Sequence, residues 1–222
     1  MVLATATGVQ ETVRAVESHF SRIFTELAQW HDALSELFAA GPVTAAMASA
    51  ALMARAITFL DGPHHVVGGG FVASRDALAD QSLYLAWWQG EHRQLLAEPA
   101  LNAATPLAYD YTRRPWFSNP ERTGRPTLTG PYVDFVCTDE YTVTATVPVR
   151  AAGRMVGVVG ADTLVETLER VLLPGLRTVG ATLVNEHGRA VVSADPHIGP
   201  GDRVTGHPHP IGDLPLTLVF PV

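Results

Sequence analysis

The sequence predicts an α+β fold: a long N-terminal helix, then an antiparallel sheet with flanking helices, then a reduced β module at the tail. Three observations carry this. Val9, Val13, Val16, Phe20, Ile23, Phe24, Leu27, Trp30, Leu34, Leu37 and Phe38 recur at spacings of three and four, one apolar helical stripe. Residues 130–164 alternate with period two between tight turns, as an antiparallel meander does. Beyond about residue 177 only short strand-and-turn patterns remain. The chain has 222 residues, 47% hydrophobic and 17% charged, with a mean hydropathy of +0.14. That composition feeds a core without a metal or disulfide staple and excludes disorder for most of the chain. The division expected is a helix-plus-sheet module over 1–176 and a reduced second module over 177–222.

The elements follow in order. About 30 helical residues at 1.5 Å each make a rod of roughly 45 Å, stopped by Gly41-Pro42. Such a rod exceeds a small domain, so part of its stripe is expected to face a second copy, giving a homodimer; the alternative is that all of it packs on its own domain. Residues 43–60 make an Ala-rich second helix, broken by Asp61-Gly62-Pro63. Residues 65–72 read as a strand softened by Gly68-Gly69-Gly70, and 83–89 as an aromatic strand. The meander comprises strands over 130–138, 141–150 and 155–162, with Ala152-Gly153 as its second turn. Thr163-Leu164-Val165-Glu166 reads as a capping box opening a short helix that Pro174-Gly175 ends. A hairpin over 181–193 turns at His187-Gly188. A Gly/Pro/His-rich loop over 195–212 then leads to a last strand, 214–220.

Several function classes are excluded early. The net charge of -7 is the wrong sign for a phosphate-backbone binder, so no nucleic acid partner is expected. Cys137 is the single cysteine, which forbids an intrachain disulfide and a cysteine zinc site. It has no obvious oriented base, so it reads as a small core residue. His64-His65 and His207-Pro208-His209 lack the companions of a metal site and read as solvated loop; no metal or cofactor is expected. Gly68-Gly69-Gly70 lacks the Lys-Ser/Thr of a phosphate loop. Arg55 inside residues 43–60 would cost about 2.5–3.5 kcal/mol at a bilayer centre, so no membrane span is expected. The N-terminus has neither a basic start nor an apolar run, so the chain as given is expected in the cytoplasm.

The residues that carry chemistry cluster between 109 and 162. Arg114 offers a planar fork that matches a carboxylate, and Trp116 adds an indole donor. Tyr132 and Asp134 stand two apart on a strand and share a face. Asp162 shares parity with Val156 and Val158, which puts a carboxylate on an apolar face, a costly place without a partner. Its alternative is a helix N-cap, a role that Thr163 with Glu166 fills better. Tyr109 and Tyr132 bring aromatic faces suited to an ammonium. A positive clamp beside negative acceptors describes a zwitterion, hence an α-amino acid or a related amine. Arg113 competes with Arg114 for the clamp on residue type alone.

Across Arg-Pro-Trp-Phe, Thr-Gly-Pro-Tyr-Val-Asp, Val-Pro-Val and Val-Gly-Val-Val-Gly-Ala-Asp, the chain resembles the Cache domains. These are the PAS-like extracellular sensor modules of bacterial chemoreceptors and sensor kinases. It is similar in a sharper way to their amino-acid-binding double-Cache subset. That pattern sets Tyr, four residues, Arg, one residue and Trp, then Tyr-x-Asp and a distant Asp. Tyr109, Arg114, Trp116, Tyr132, Asp134 and Asp162 fill those places. The resemblance implies that Arg114 and Trp116 hold the ligand carboxylate. It implies that Tyr132, Asp134 and Asp162 hold the amino group, with Tyr109 lining the pocket. It also favours a location outside the membrane, and it picks Arg114 over Arg113.

The function expected is therefore a small-molecule sensor that binds and does no chemistry, feeding a signal. Two rival classes stand beside it. Two carboxylates near an arginine could do acid–base work on a metabolite, although no cofactor motif or activated nucleophile accompanies them. A structural dimerisation module with a degenerate pocket is the other.

Overall fold

The computed structural model describes residues 5–63, 65–90, 92, 94–99, 110–134 and 139–222. The chain divides into two compact units. A sheet unit holds Ile23–Thr127 and Ala145–Asp162; a terminal unit holds the chain up to Arg22, Leu128–Thr144 and Thr163–Val222.

Helix α1 spans Ala6–Ala40 and α2 spans Ala45–Asp61. Thr5 caps α1, its hydroxyl accepting from the Gly8 N–H at 3.1 Å; Thr44 does the same for α2 from Met47 at 3.3 Å. Much of the stripe predicted for α1 is its buried face: Val16, Phe20, Ile23, Leu27, Trp30 and Leu34 are shielded almost completely, while Val9, Val13, Phe24, Leu37 and Phe38 are half-buried. Each such side chain contributes about 1.5–3 kcal/mol by leaving water.

In the sheet unit, β1 (Gly68–Ala73), β2 (Tyr84–Gln89) and β3 (Gln94–Pro99) join β5 (Tyr141–Ala151) and β6 (Arg154–Leu164) in the order β3-β2-β1-β6-β5, and β4 (Thr127–Val133) follows β5. α2 packs on β1 and β2. Trp30 stands over Gly69 and edge-on to Phe59, and Phe38 tilts against Phe71. Gly70 is where β1 and β2 close in most tightly, since a Cβ there would run into the Ala86 carbonyl. A 3-10 turn (Tyr111–Arg113) and α3 (Pro115–Thr123) complete this unit.

In the terminal unit, α4 (Val165–Val179) packs on β8 (Ala190–Ser193). The second sheet runs β8-β7-β10-β9, with β7 at Thr182–Asn185, β9 at His207–Pro210 and β10 at Leu216–Phe220. The first turns of α1 belong here: the Thr12 hydroxyl donates to the Gly175 carbonyl of α4 at 3.3 Å. Asn185 ties β7 to β4, its side-chain amide donating to the Gly130 carbonyl at 2.6 Å.

The α+β class, the long helix and the meander order are as the sequence predicts. Five local expectations are corrected. Thr163 does not cap α4; it still lies in β6, and Leu164 at the N-cap makes no side-chain bond. Strand pairing holds the backbone extended one residue past the expected helix start. Pro174-Gly175 does not end α4, which runs on to Val179 and stops at left-handed Gly180; burial of Leu176 and Val179 outweighs one missing N–H. β4 begins at Thr127 and ends at Val133, while 135–138, including Cys137, lie outside the described residues. β3 and β9 occupy stretches without a strand signal. Finally, residues 111–123 are helical, because Pro115 at the first helical position favours that start and Gly124 ends it in the left-handed region.

Candidate functional site

The register of the sheet unit decides which residues meet. Gly68 of β1 lies opposite Asp162 of β6 and opposite Gln89 of β2; Gly70 lies opposite Gly160 and Trp87. Residues directly opposite share a face. One face therefore carries the row Gln89, Gly68, Asp162 and the row Trp87, Gly70, Gly160. The other carries Gly69 and Phe71, where Trp30 and Phe38 of α1 rest. Asp162 consequently points away from the helical cover, and it is 5% exposed. Its own carbonyl accepts from the Val67 N–H at 2.9 Å. Asp162 stands within β6 and not at its end, so the N-cap alternative falls with the capping box.

The same face meets the start of α3. Thr146 of β5 touches the space above Gly160 and donates its hydroxyl to the Trp116 carbonyl at 3.0 Å. Trp116 is buried, stacked on Tyr111 with ring centroids 6.3 Å apart and edge-on to Phe117 at 6.1 Å. Tyr111 anchors this cluster: its hydroxyl accepts from the Tyr84 N–H and donates to the Ala73 carbonyl, both at 2.9 Å. Burial pushes the Tyr111 phenol up to about 12. Asp110 caps the 3-10 turn through the Thr112 hydroxyl and N–H. The Thr112 hydroxyl, more than any other group, holds the Asp110 carboxyl below its ordinary range.

Arg114 links the turn to α3. Its N–H donates to the Tyr111 carbonyl, and its carbonyl accepts from Phe117 and Ser118. Arg114 is exposed at the N-terminus of α3, where the helix dipole and the guanidinium carry the same positive sign.

The other expected residues belong to the terminal unit. The Tyr132 hydroxyl shares a hydrogen bond of 2.6 Å with that of Thr144. Asp134 is buried just past the end of β4, its N–H donating to the Glu140 carbonyl at 3.1 Å. Tyr109 lies outside the described residues. Thus the Trp116 carbonyl and Asp162 come to one sheet face of one unit, with Arg114 two residues before Trp116. Tyr132 and Asp134 stand close together in the other unit. Among the described residues no cluster of three His, Cys, Asp or Glu could hold a metal ion, and no helix is long and apolar enough to cross a membrane.

One residue of this face was not expected. The Trp87 indole lies along the sheet with its pyrrole edge over Gly68 and its six-membered ring against Gly160. From sequence alone Trp87 and Trp88 are equivalent neighbours on an aromatic strand. Only the register sets Trp87 over glycines.

Residues 69–170 match a family model described as the first PDC sensor domain of methyl-accepting chemotaxis protein-like proteins. Among curated proteins, the chain is 36% identical over 67 residues to the methyl-accepting chemotaxis protein PctB of Pseudomonas aeruginosa, covering 30% of this chain and 10% of that one. It is 33% identical over 96 residues to McpA of Pseudomonas putida, covering 41% of this chain and 15% of that one. Among solved structures it resembles methyl-accepting chemotaxis protein X, with a TM-score of 0.69, 15% identity and coverage of 96% and 94%. It resembles the ligand-binding domain of the P. aeruginosa amino acid chemoreceptor PctC in complex with GABA, at 0.58, 19% identity and coverage of 96% and 97%. It also resembles that of the Pseudomonas fluorescens chemoreceptor CtaA in complex with L-valine, at 0.60, 19% identity and coverage of 93% and 90%. At such identities the structures establish the fold. The Cache-type resemblance drawn from residues 109–162 is borne out by the family match, which contains all of them.

Proposed function

Starting from the sensor-module match over residues 69–170, we propose that this chain is the ligand-sensing input of a signalling protein and binds an amino acid or a closely related amine. The match itself carries the reading: Tyr109, Arg114, Trp116, Tyr132, Asp134 and Asp162 all fall within it. Solved neighbours hold GABA and L-valine, both zwitterions, which supports the ligand class. In this reading Arg114 and the Trp116 indole hold the carboxylate; Asp162, Asp134 and Tyr132 receive the ammonium; Tyr109 lines the site. The placement of Arg114 at the start of α3 supports the first assignment, and the burial of Asp162 supports the second.

The role is recognition and not catalysis. The chain spans 10% and 15% of the curated receptors it matches, so the output partner belongs to the proposal. No match supports the cytoplasmic placement, and the sensor resemblance favours a module outside the membrane. A homodimer through α1 is proposed with it. Sedimentation equilibrium tests the dimer, which a monomer at all concentrations would remove.

Isothermal titration with the twenty amino acids, GABA and small amines tests the function. One or more should bind, and Arg114→Ala should weaken that ligand by about 10- to 100-fold, the loss of a charge-assisted pair. Asp162→Asn should weaken amines while sparing plain carboxylates. Absence of any binding, or an Arg114→Ala variant that binds as well as the parent, would refute the reading.

A further inference from the structure

The Trp87 indole N–H is buried and has no hydrogen-bond partner among the described residues. Buried tryptophan N–H groups normally find an acceptor. Trp30 of the same unit shows the ordinary case, donating to Glu26 at 2.9 Å. Trp87 is 5% exposed, so water does not replace the missing partner freely.

Its position gives the orphan donor a meaning. The indole nitrogen lies over Gly68, and a Cβ on Gly68 would sit 2.6 Å from it. Glycine at 68 is therefore what lets the N–H edge reach this spot. Gly68 is the direct cross-strand neighbour of Asp162 on the same face. The N–H thus stands one strand away from the carboxylate that, in the proposed reading, receives the ammonium.

We infer that Trp87 is a ligand-binding residue whose indole N–H takes an acceptor oxygen on the guest's side chain, so that the site selects amino acids bearing a side-chain hydroxyl or amide over apolar ones. The inference rests on the amino-acid reading above and adds specificity to it. An ammonium cannot accept a hydrogen bond. The α-carboxylate is assigned to Arg114 and Trp116. The acceptor left to a guest held beside Asp162 is on its side chain. A guest without one leaves the indole N–H unsatisfied, and that difference is the source of discrimination.

Isosteric pairs isolate the effect: threonine against valine, and asparagine against leucine. Titration of the full chain should show the oxygen-bearing member of at least one pair binding about tenfold tighter, the worth of one well-placed hydrogen bond. Trp87→Phe should erase that preference. Gly68→Ala, whose new methyl displaces the indole edge, should erase it too and serves if Trp87→Phe does not fold. Equal or apolar-favouring affinities in both pairs overturn the inference while leaving the sensor reading intact. So does a preference that survives in the folded variant. Failure of every amino acid to bind the parent chain overturns both. Loss of both pair members in Arg114→Ala, beside a changed ratio alone in Trp87→Phe, separates the two roles.

Discussion

Tyr111 shows how a single hydroxyl positions the candidate site. It serves two backbone groups at once, the Tyr84 N–H and the Ala73 carbonyl, and so pins the 3-10 turn before Arg114 to β1 and β2. Tyr111→Phe leaves both groups buried and unserved, an expected loss of about 1–3 kcal/mol in urea unfolding. An unchanged midpoint would contradict the anchoring role. The pH dependence has a definite sign. The phenol rises from its ordinary value of 10 to about 12 because burial disfavours phenolate. The unfolded chain sheds the proton first, so stability present below pH 10 falls as pH rises from 10 through 12, by up to about 2–3 kcal/mol. The alkaline decline of the parent should be steeper than that of Tyr111→Phe. Parallel declines would show that the phenol titrates alike in both states.

At the scale of elements, the β5–β6 hairpin is set by its two-residue turn. Ala152 and Gly153 both have positive φ, 49° and 80°. This is the turn whose twist matches two antiparallel strands, and it favours Asn-Gly. Alanine at the first position carries a left-handed penalty of about 1 kcal/mol that asparagine largely avoids. Ala152→Asn should therefore raise the melting temperature by a few degrees, as a gain of roughly 0.5–1 kcal/mol would. A lowered melting temperature would mean that the Cβ of Ala152 is not strained. The α4 helix carries the opposite lesson. Local signals end it at Pro174, yet it continues because its second half buries Leu176 and Val179.

At the scale of the molecule, neither unit is one stretch of chain. α1, β5 and β6 each run unbroken from one unit into the other. Melting one unit must fray elements that the other needs. Calorimetry should therefore give a single transition, with calorimetric and van't Hoff enthalpies equal. Two resolved transitions would show that the units unfold independently. A saturating ligand should move the whole transition upward, by about 2.7 kcal/mol at a hundredfold excess over its dissociation constant.

The α+β class, the stripe of α1, the meander and the family signature are legible in the chain, because each is written in local periodicity or spacing. The sequence also brought forward Arg114, Trp116 and Asp162 as chemically telling residues. It could not show that Thr163 stays in β6, since strand pairing there overrides a good capping pattern. It could not mark β9, whose exposed His207–Pro210 has no apolar alternation and is a strand through its pairing with β10. Nor could it distinguish Trp87 from Trp88. Cross-strand register alone sets Gly68 opposite Asp162 and lays the Trp87 indole over Gly68 and Gly160, with Trp88 on the opposite face. Register joins residues nearly a hundred positions apart, and no local pattern in the chain records it.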